Sequence, residues 1–81
     1  MLDSHRQDFD GAEKHYRRAI EIEPKDANVH NNLAVLLKHH KHDINGAKDH
    51  YFKALRSDPK HSKARDNLRS LLKRQQQQSD D

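Results

Sequence analysis

The sequence predicts an all-α fold of about four helices packed as antiparallel pairs. Composition, an internal repeat and the helical spacing of apolar residues lead to this prediction. The 81 residues include only two Gly and two Pro, too little turn chemistry for a sandwich or barrel of short strands. Good helix formers such as Ala, Leu, Lys and Arg are common. With 31% apolar and 36% charged residues, the chain forms one small domain with a lean core.

The chain repeats itself at an offset of 35 residues. Residues 8–24 align with residues 43–59, and at the same offset residues 31–38 align with residues 66–73. The matched residues of the first block are Asp8, Gly11, Ala12, His15, Tyr16, Ala19 and Pro24, which correspond to Asp43, Gly46, Ala47, His50, Tyr51, Ala54 and Pro59. Because one offset aligns two separate blocks, we interpret the similarity as a true structural repeat.

Both blocks carry apolar residues at spacings of three and four, which is typical of one face of a helix. In the first block these are Phe9, Ala12, Tyr16, Ala19 and Ile20, repeated as Ile44, Ala47, Tyr51, Ala54 and Leu55. In the second block they are Val29, Leu33, Leu36 and Leu37, repeated as Ala64, Leu68, Leu71 and Leu72. The pattern therefore predicts two kinds of amphipathic helix that alternate along the chain.

Caps and prolines set the predicted boundaries. Helices start near an Asp, such as Asp26, and end before Pro24 or Pro59. We predict helices at residues 8–22, 26–40, 43–57 and 60–75, joined by short connections that make neighbours antiparallel. Residues 1–75 form one helical domain, and the polar residues 76–81 are expected to be a disordered tail.

At this point the sequence resembles the tetratricopeptide repeat, a family of helix pairs with a period of about 34 residues. The series Ile44, Ala47, Tyr51, Ala54 and Pro59 resembles the family's second helix, and Phe9, Ala12, Tyr16, Ala19 and Pro24 repeat it. Asn32-Leu33-Ala34 resembles the family's first helix. The resemblance covers about residues 8 to 73. It implies an α-solenoid that works as a protein-interaction module or scaffold, with no catalytic role and no cofactor.

The chain departs from the family pattern in several places. The period is one residue longer, and we place the extra residue in the turn 39–42. His30 stands where the family has a large aromatic, so looser packing is expected there. Only residues 27–59 form a whole helix pair. Arg65 and Arg69 stand where a following helix would pack, so the last helix is expected to act as a cap with a hydrated outer face.

The first predicted helix lacks a partner helix before it. Ala12 is small where the family packs a preceding helix. Two interpretations follow: either the sequence is part of a longer array, or a second copy of the chain covers this helix. Self-association as a homodimer through this uncapped helix is therefore our alternative function.

The resemblance implies that first helices line a groove that holds an extended peptide or a partner helix. Asn can donate to and accept from a peptide backbone, and Lys can meet carboxylates. The groove candidates are Asn28, Asn31, Asn32, Val35, Lys38 and His39, followed by Lys63, Asp66, Asn67, Ser70 and Lys73.

Chaperone-binding members of the family clamp a C-terminal carboxylate with Lys and Asn. Asn32 and Lys63 match two of those positions, whereas Asn67 stands where the clamp has Arg. A carboxylate clamp is therefore only partly matched. Loss of binding when a peptide's terminal carboxylate is amidated would identify it.

The turn His39-His40-Lys41-His42, with His50 nearby in sequence, suggests a zinc or nickel site because imidazole is a frequent ligand. The absence of Cys and the intervening Lys41 favour a hydrated polar turn, and we predict no metal.

Other functions have weaker support. The Ser residues lie in no Gly-rich elbow, and single glycines at helix starts form no phosphate loop, so we predict no enzyme. Basic residues between 60 and 74 could meet nucleic acid, and pentatricopeptide repeats of similar period read RNA, but the Tyr-Ala-Pro pattern argues against that. No apolar run could cross a membrane, and no signal peptide is evident at Met1, so a cytoplasmic location is the default expectation.

Overall fold

The computed structural model describes residues 8–79, with side chains through residue 75, and the prediction of an all-α fold is confirmed within that range. Its four helices are α1 (Phe9–Ile22), α2 (Ala27–His40), α3 (Ile44–Ser57) and α4 (Ser62–Ser79). This part of the chain contains no β-strand.

Aspartates cap the first three helices, as predicted. The Asp8 and Asp43 carboxylates accept from the amides of Gly11 and Gly46 at 2.8 and 2.9 Å. A Cβ on either glycine would lie 2.4 Å from a carboxylate oxygen of its capping Asp. Glycine at the third helical position therefore leaves room for the cap, which explains why the repeat contains Gly at both positions. Asp26 caps α2 by accepting from the amides of residues 28 and 29.

The fourth helix differs at both ends from the predicted range of 60–75. The Asp58 carboxylate accepts from the amide of Lys60, and the backbone of Asp58 accepts from the amide of His61. This turn delays the helix to Ser62, where the imidazole Nδ1 of His61 accepts from the amide of Ala64 at 3.1 Å. At the other end α4 continues to Ser79, into the segment 76–81 expected to be a disordered tail, and residues 80 and 81 lie outside the described range.

The turn between α2 and α3, predicted to hold the extra residue of the repeat, is closed by an unusual backbone conformation. His42 has a φ of 55°, in the left-handed region that favours glycine. Its conformation lets the amide of Asp43 donate back to the carbonyl of Leu37 at 2.9 Å. A helix C-terminus and the next helix N-terminus are thus joined with backbone groups satisfied.

The core lies where α2 packs between α1 and α3, and α3 also packs on α4. Leu33 and Leu37 from α2 meet Tyr51 from α3, and each of the three is at most 2% exposed. Small residues allow the helices to approach closely. These are Ala34, Ala47, Ala54 and Ala64, all fully buried.

The two helices that correspond to the second helix of the repeat, α1 and α3, are buried to different extents. In α3 the buried residues are Ala47, His50, Tyr51 and Ala54, whereas α1 has no buried residue. The equivalent residues of α1, including Ala12 and Tyr16, are half-buried or exposed. One side of α1 is therefore left without a packing partner among the described residues.

Polar and aromatic contacts attach α1 to the end of α2. The Phe9 ring stacks on the His40 ring with centroids 3.7 Å apart and planes 13° apart. The Lys41 ammonium pairs with the Asp10 carboxylate and lies 3.7 Å from the Glu13 carboxylate. The His-rich turn is therefore used for packing against α1.

Candidate functional site

The two helices that correspond to the first helix of the repeat, α2 and α4, carry all the predicted groove residues. In α4, Lys63, Asn67, Ser70 and Arg74 recur at spacings of three and four, so they share one face of the helix. Arg74 was missed by the sequence reasoning, although its position four residues after Ser70 is the signal that would have found it.

Asn31 and Asn67 join the two helices. The Asn67 side-chain amide donates to Oδ1 of Asn31 at 3.1 Å, and Asn31 is 5% exposed. Asn31 therefore lies below the surface that a partner could touch. Its amide supports the spacing of α2 and α4, and we assign it a positioning role in the groove.

Asn28 is held by the residue that caps α4. Because Nδ1 of His61 accepts from the amide of Ala64, its Nε2 carries the hydrogen and donates to Oδ1 of Asn28 at 2.7 Å. The Asn28 carbonyl oxygen is thus engaged within the chain, while its amide nitrogen keeps its two donors for other contacts.

Asn32 and Val35 lie in a groove between α1 and α2, which we call the α1–α2 groove. The groove encloses about 430 Å³ and is lined by Asp8, Phe9, Ala12, Tyr16, Asn32, Val35, Leu36 and His40. Its walls are mainly apolar, and it lies on the side of α1 that is left without a packing partner.

Lys38 and His39 line a second depression, which we call the basic pocket. Residues from the following turn and from α4 complete it, and the lining consists of Lys38, His39, His42, Ile44, Leu71, Arg74 and Gln75. The sequence reasoning placed Lys38 and His39 at a groove but missed His42, Ile44 and Arg74.

The remaining candidates are on α4. Lys63, Asp66 and Ser70 are exposed and available for contact. Lys73 lies beside Leu68, Arg69 and Leu72 in a shallow depression. That depression includes Arg69, which was predicted to face the position of a following helix, so Lys73 borders the outer side of α4. Arg65 and Arg69 are both exposed, as expected for a hydrated outer face.

A pair of buried histidines occupies the contact between α2 and α3. His30 is 3% exposed and His50 is 8% exposed, and their Nδ1 atoms are 3.1 Å apart. The Nε2 atom of His30 also lies 2.8 Å from the carbonyl oxygen of Pro24. The second imidazole and the carbonyl thus satisfy both nitrogens of His30, whereas looser packing at this position stays a prediction.

The histidines proposed as possible metal ligands are not brought together. His40 stacks on Phe9, and His50 pairs with His30 in the interior. Within the part of the chain that the structure describes, no group of three His, Cys, Asp or Glu residues could hold a metal ion. The turn therefore has no geometry for the structural metal site that its sequence suggested.

The paired helices and their shared groove place the chain in the class of helical-repeat proteins. Residues 5–41 match the family model described as TPR repeat. This match and the helix-pair fold are consistent with the tetratricopeptide-repeat family. A comparison with curated proteins gave no match. Repeats of this family generally mediate protein–protein interactions and are typically non-catalytic. Between residues 8 and 79, no helix combines the length and apolar character needed to cross a membrane.

Proposed function

We propose that this chain binds an extended peptide or a partner helix along the face shared by α2 and α4. The main support is a pair of side-chain hydrogen bonds, Asn67 to Asn31 and His61 to Asn28, which hold the two helices side by side. A surface held by internal hydrogen bonds is organised before a partner arrives, which lowers the entropy cost of binding.

The exposed residues of this face have the chemistry that a peptide requires. Asn32, Lys63 and Ser70 are exposed and can donate to backbone carbonyls or carboxylates. We assign Asn28, Val35 and Lys38 to the borders of the same face. A carboxylate clamp through Asn32 and Lys63 stays a prediction, tested by comparing a free and an amidated peptide C-terminus.

The test is selection of binding peptides from a random library displayed on phage, followed by titration of the selected peptide. Lys63→Glu is expected to weaken binding because it reverses a charge on the face. The matched control is Lys53→Glu, which makes the same change on the exposed side of α3. If both variants weaken binding equally, or neither does, the partner lies elsewhere.

A second function is favoured by the α1–α2 groove. We infer that a second copy of the chain covers this groove, because α1 buries no residue whereas its repeat copy α3 buries four. Phe9, Ala12 and Tyr16 present a mainly apolar wall there. Covering such a surface is favourable by about 25 cal/mol per Å² of apolar area removed from water.

Light scattering across a concentration series tests self-association. A dimer that dissociates on dilution supports it, provided that Ala12→Glu makes the chain monomeric at all concentrations. The control is Phe52→Glu, which places the same charge at a side chain 47% exposed on α3 and should leave the dimer unchanged. A folded monomer at every concentration contradicts this second function.

A further inference from the structure

Three elements converge on the basic pocket defined above. Lys38 and His39 come from the last turn of α2, Ile44 from the first residue of α3, and Arg74 from α4. The pocket encloses about 460 Å³. No Asp or Glu belongs to its lining. A cavity lined by cationic groups without carboxylates is suited to a negatively charged group.

The floor of the pocket is apolar. Ile44 is half-buried and Leu71 is 2% exposed. The lining also includes two cationic residues, Lys38, which is half-buried, and Arg74, which is exposed. Apolar and cationic residues in one lining suit a ligand that has one apolar side chain with carboxylates on either side of it.

The positive charges around the pocket also act on the imidazole of His39. Burial lowers the pKa of His39, and the charges of Lys38, His40 and Arg74 lower it further. Two of those three charges line the pocket itself. Positive charges disfavour another positive charge, and for the same reason they favour an anion.

Basic residues in the last turn of α2 also complement the dipole of their own helix. That explanation applies to Lys38 and His39, which lie in this turn. It does not apply to Arg74, which belongs to a different helix, or to the aliphatic floor. The convergence on one cavity therefore points to a ligand.

We propose that the basic pocket anchors an acidic segment of a protein partner, with one aliphatic side chain on Ile44 and Leu71 and flanking carboxylates on Lys38 and Arg74. This inference rests on the proposed function and names the chemistry of the partner. The aliphatic floor, without Phe, Tyr or Trp in the lining, favours a peptide over single-stranded RNA, whose bases stack on aromatic side chains.

The test uses a fluorescein-labelled peptide with one leucine between two pairs of glutamates, measured by anisotropy at low and high salt. Two control peptides replace the glutamates by glutamine or the leucine by serine. Arg74→Glu and Lys38→Glu are each expected to weaken binding by about tenfold or more, because they place a carboxylate where a carboxylate must bind. Raising the salt concentration should weaken binding to the wild-type chain.

The matched control is Arg69→Glu, which makes the same change on the outer side of α4 and should leave affinity within about twofold. Equal loss in Arg69→Glu and Arg74→Glu would show a response to net charge and would overturn the inference. Equal binding of the serine peptide, or tighter binding of an oligouridine that Arg74→Glu also abolishes, would overturn it as well.

Chemical-shift mapping separates this inference from the proposed function. Shifts confined to Lys38, His39, Ile44 and Arg74 support the pocket. Shifts confined to Asn32 and Lys63 overturn the pocket but support binding on the face shared by α2 and α4. Absence of binding of the acidic peptide also overturns the pocket. Binding on the face shared by α2 and α4 is tested separately by the library selection, which does not use this peptide.

Discussion

The buried histidine pair should make the chain sensitive to mild acid. His30 donates from Nε2 to the Pro24 carbonyl, so in its neutral form Nδ1 accepts, and His50 must donate from its own Nδ1. Burial first, and then the neighbouring charges of His30, Lys53 and Arg17, lower the pKa of His50 from 6.5 to about 4, although Asp49 opposes them. The folded state therefore keeps His50 neutral.

The sign and size follow from proton linkage. Because the pKa is lower in the folded state, the unfolded chain binds more protons between pH 6.5 and about 4, and stability falls as the pH falls through that interval. Between pH 7 and pH 5 the expected loss is about 1–2 kcal/mol, at about 1.4 kcal/mol per unit of pKa difference. This is a large share of the roughly 4–12 kcal/mol expected for a chain of this size.

Urea denaturation followed by circular dichroism at 222 nm, at pH 7 and pH 5, measures this loss. His50→Gln is expected to be less stable at pH 7, since a buried hydrogen bond is lost, but the loss of about 1–2 kcal/mol between the two pH values should largely disappear, because glutamine does not titrate. His15→Gln is the matched control, because His15 is the repeat equivalent of His50 and is exposed. Its pH dependence should equal that of the wild type.

An unchanged pH dependence in His50→Gln would refute this reasoning, because the acid sensitivity would then arise from other groups. A wild-type chain equally stable at pH 7 and pH 5 would refute it directly.

Substitutions at four further positions test the fold, each measured by urea denaturation at pH 7. Tyr51→Ala should cost about 3–4 kcal/mol and Tyr16→Ala only about 1 kcal/mol, because Tyr51 is 1% exposed whereas Tyr16 is half-buried; equal costs would contradict the unequal burial of α1 and α3. Asp43→Ala should cost about 1 kcal/mol by removing a helix cap, and Asp43→Asn, which keeps an acceptor, should cost less. His42→Gly should stabilise the chain by about 0.5 kcal/mol, because glycine adopts a φ of 55° without strain; a loss of stability would show that the imidazole makes a needed contact.

The sequence was sufficient to place the helices, because the apolar spacing and the capping Asp residues are local signals. Asp8, Asp26 and Asp43 each begin a helix within one residue of the predicted start. The start of α4 was placed two residues early. An Asp58 turn and an imidazole cap at His61 fix it, and neither is a common cap signal.

The histidine pair could not be predicted, because its partners are 20 residues apart and lie on different helices. Helical spacing shows that His50 belongs to the inner face of α3, but only the packing of α2 against α3 shows what it meets. The aromatic position of His30 suggested a defect, whereas two histidines facing each other make a satisfied contact.

The candidate groove was predicted by helix and by face but not by role. Sequence spacing cannot show that the side chain of Asn31 is hydrogen-bonded to Asn67. Both residues were expected to face a partner. It also could not find the basic pocket, whose residues come from three elements and meet only in the folded chain. Local patterns thus predicted the surface, and tertiary packing decided which side chains remain free.

The unequal burial of α1 and α3 has a consequence for local stability along the chain. In repeat proteins each unit is stabilised by its neighbours, so the unit with packing on both sides is the most stable one. Here that unit is α2 with α3, and α1 is the helix with least burial. Amide hydrogens of α2 and α3 should exchange with deuterium most slowly, and those of α1 should exchange first by local opening. A partner that covers α1 would therefore slow exchange mainly at that end, so binding there would lengthen the cooperative unit.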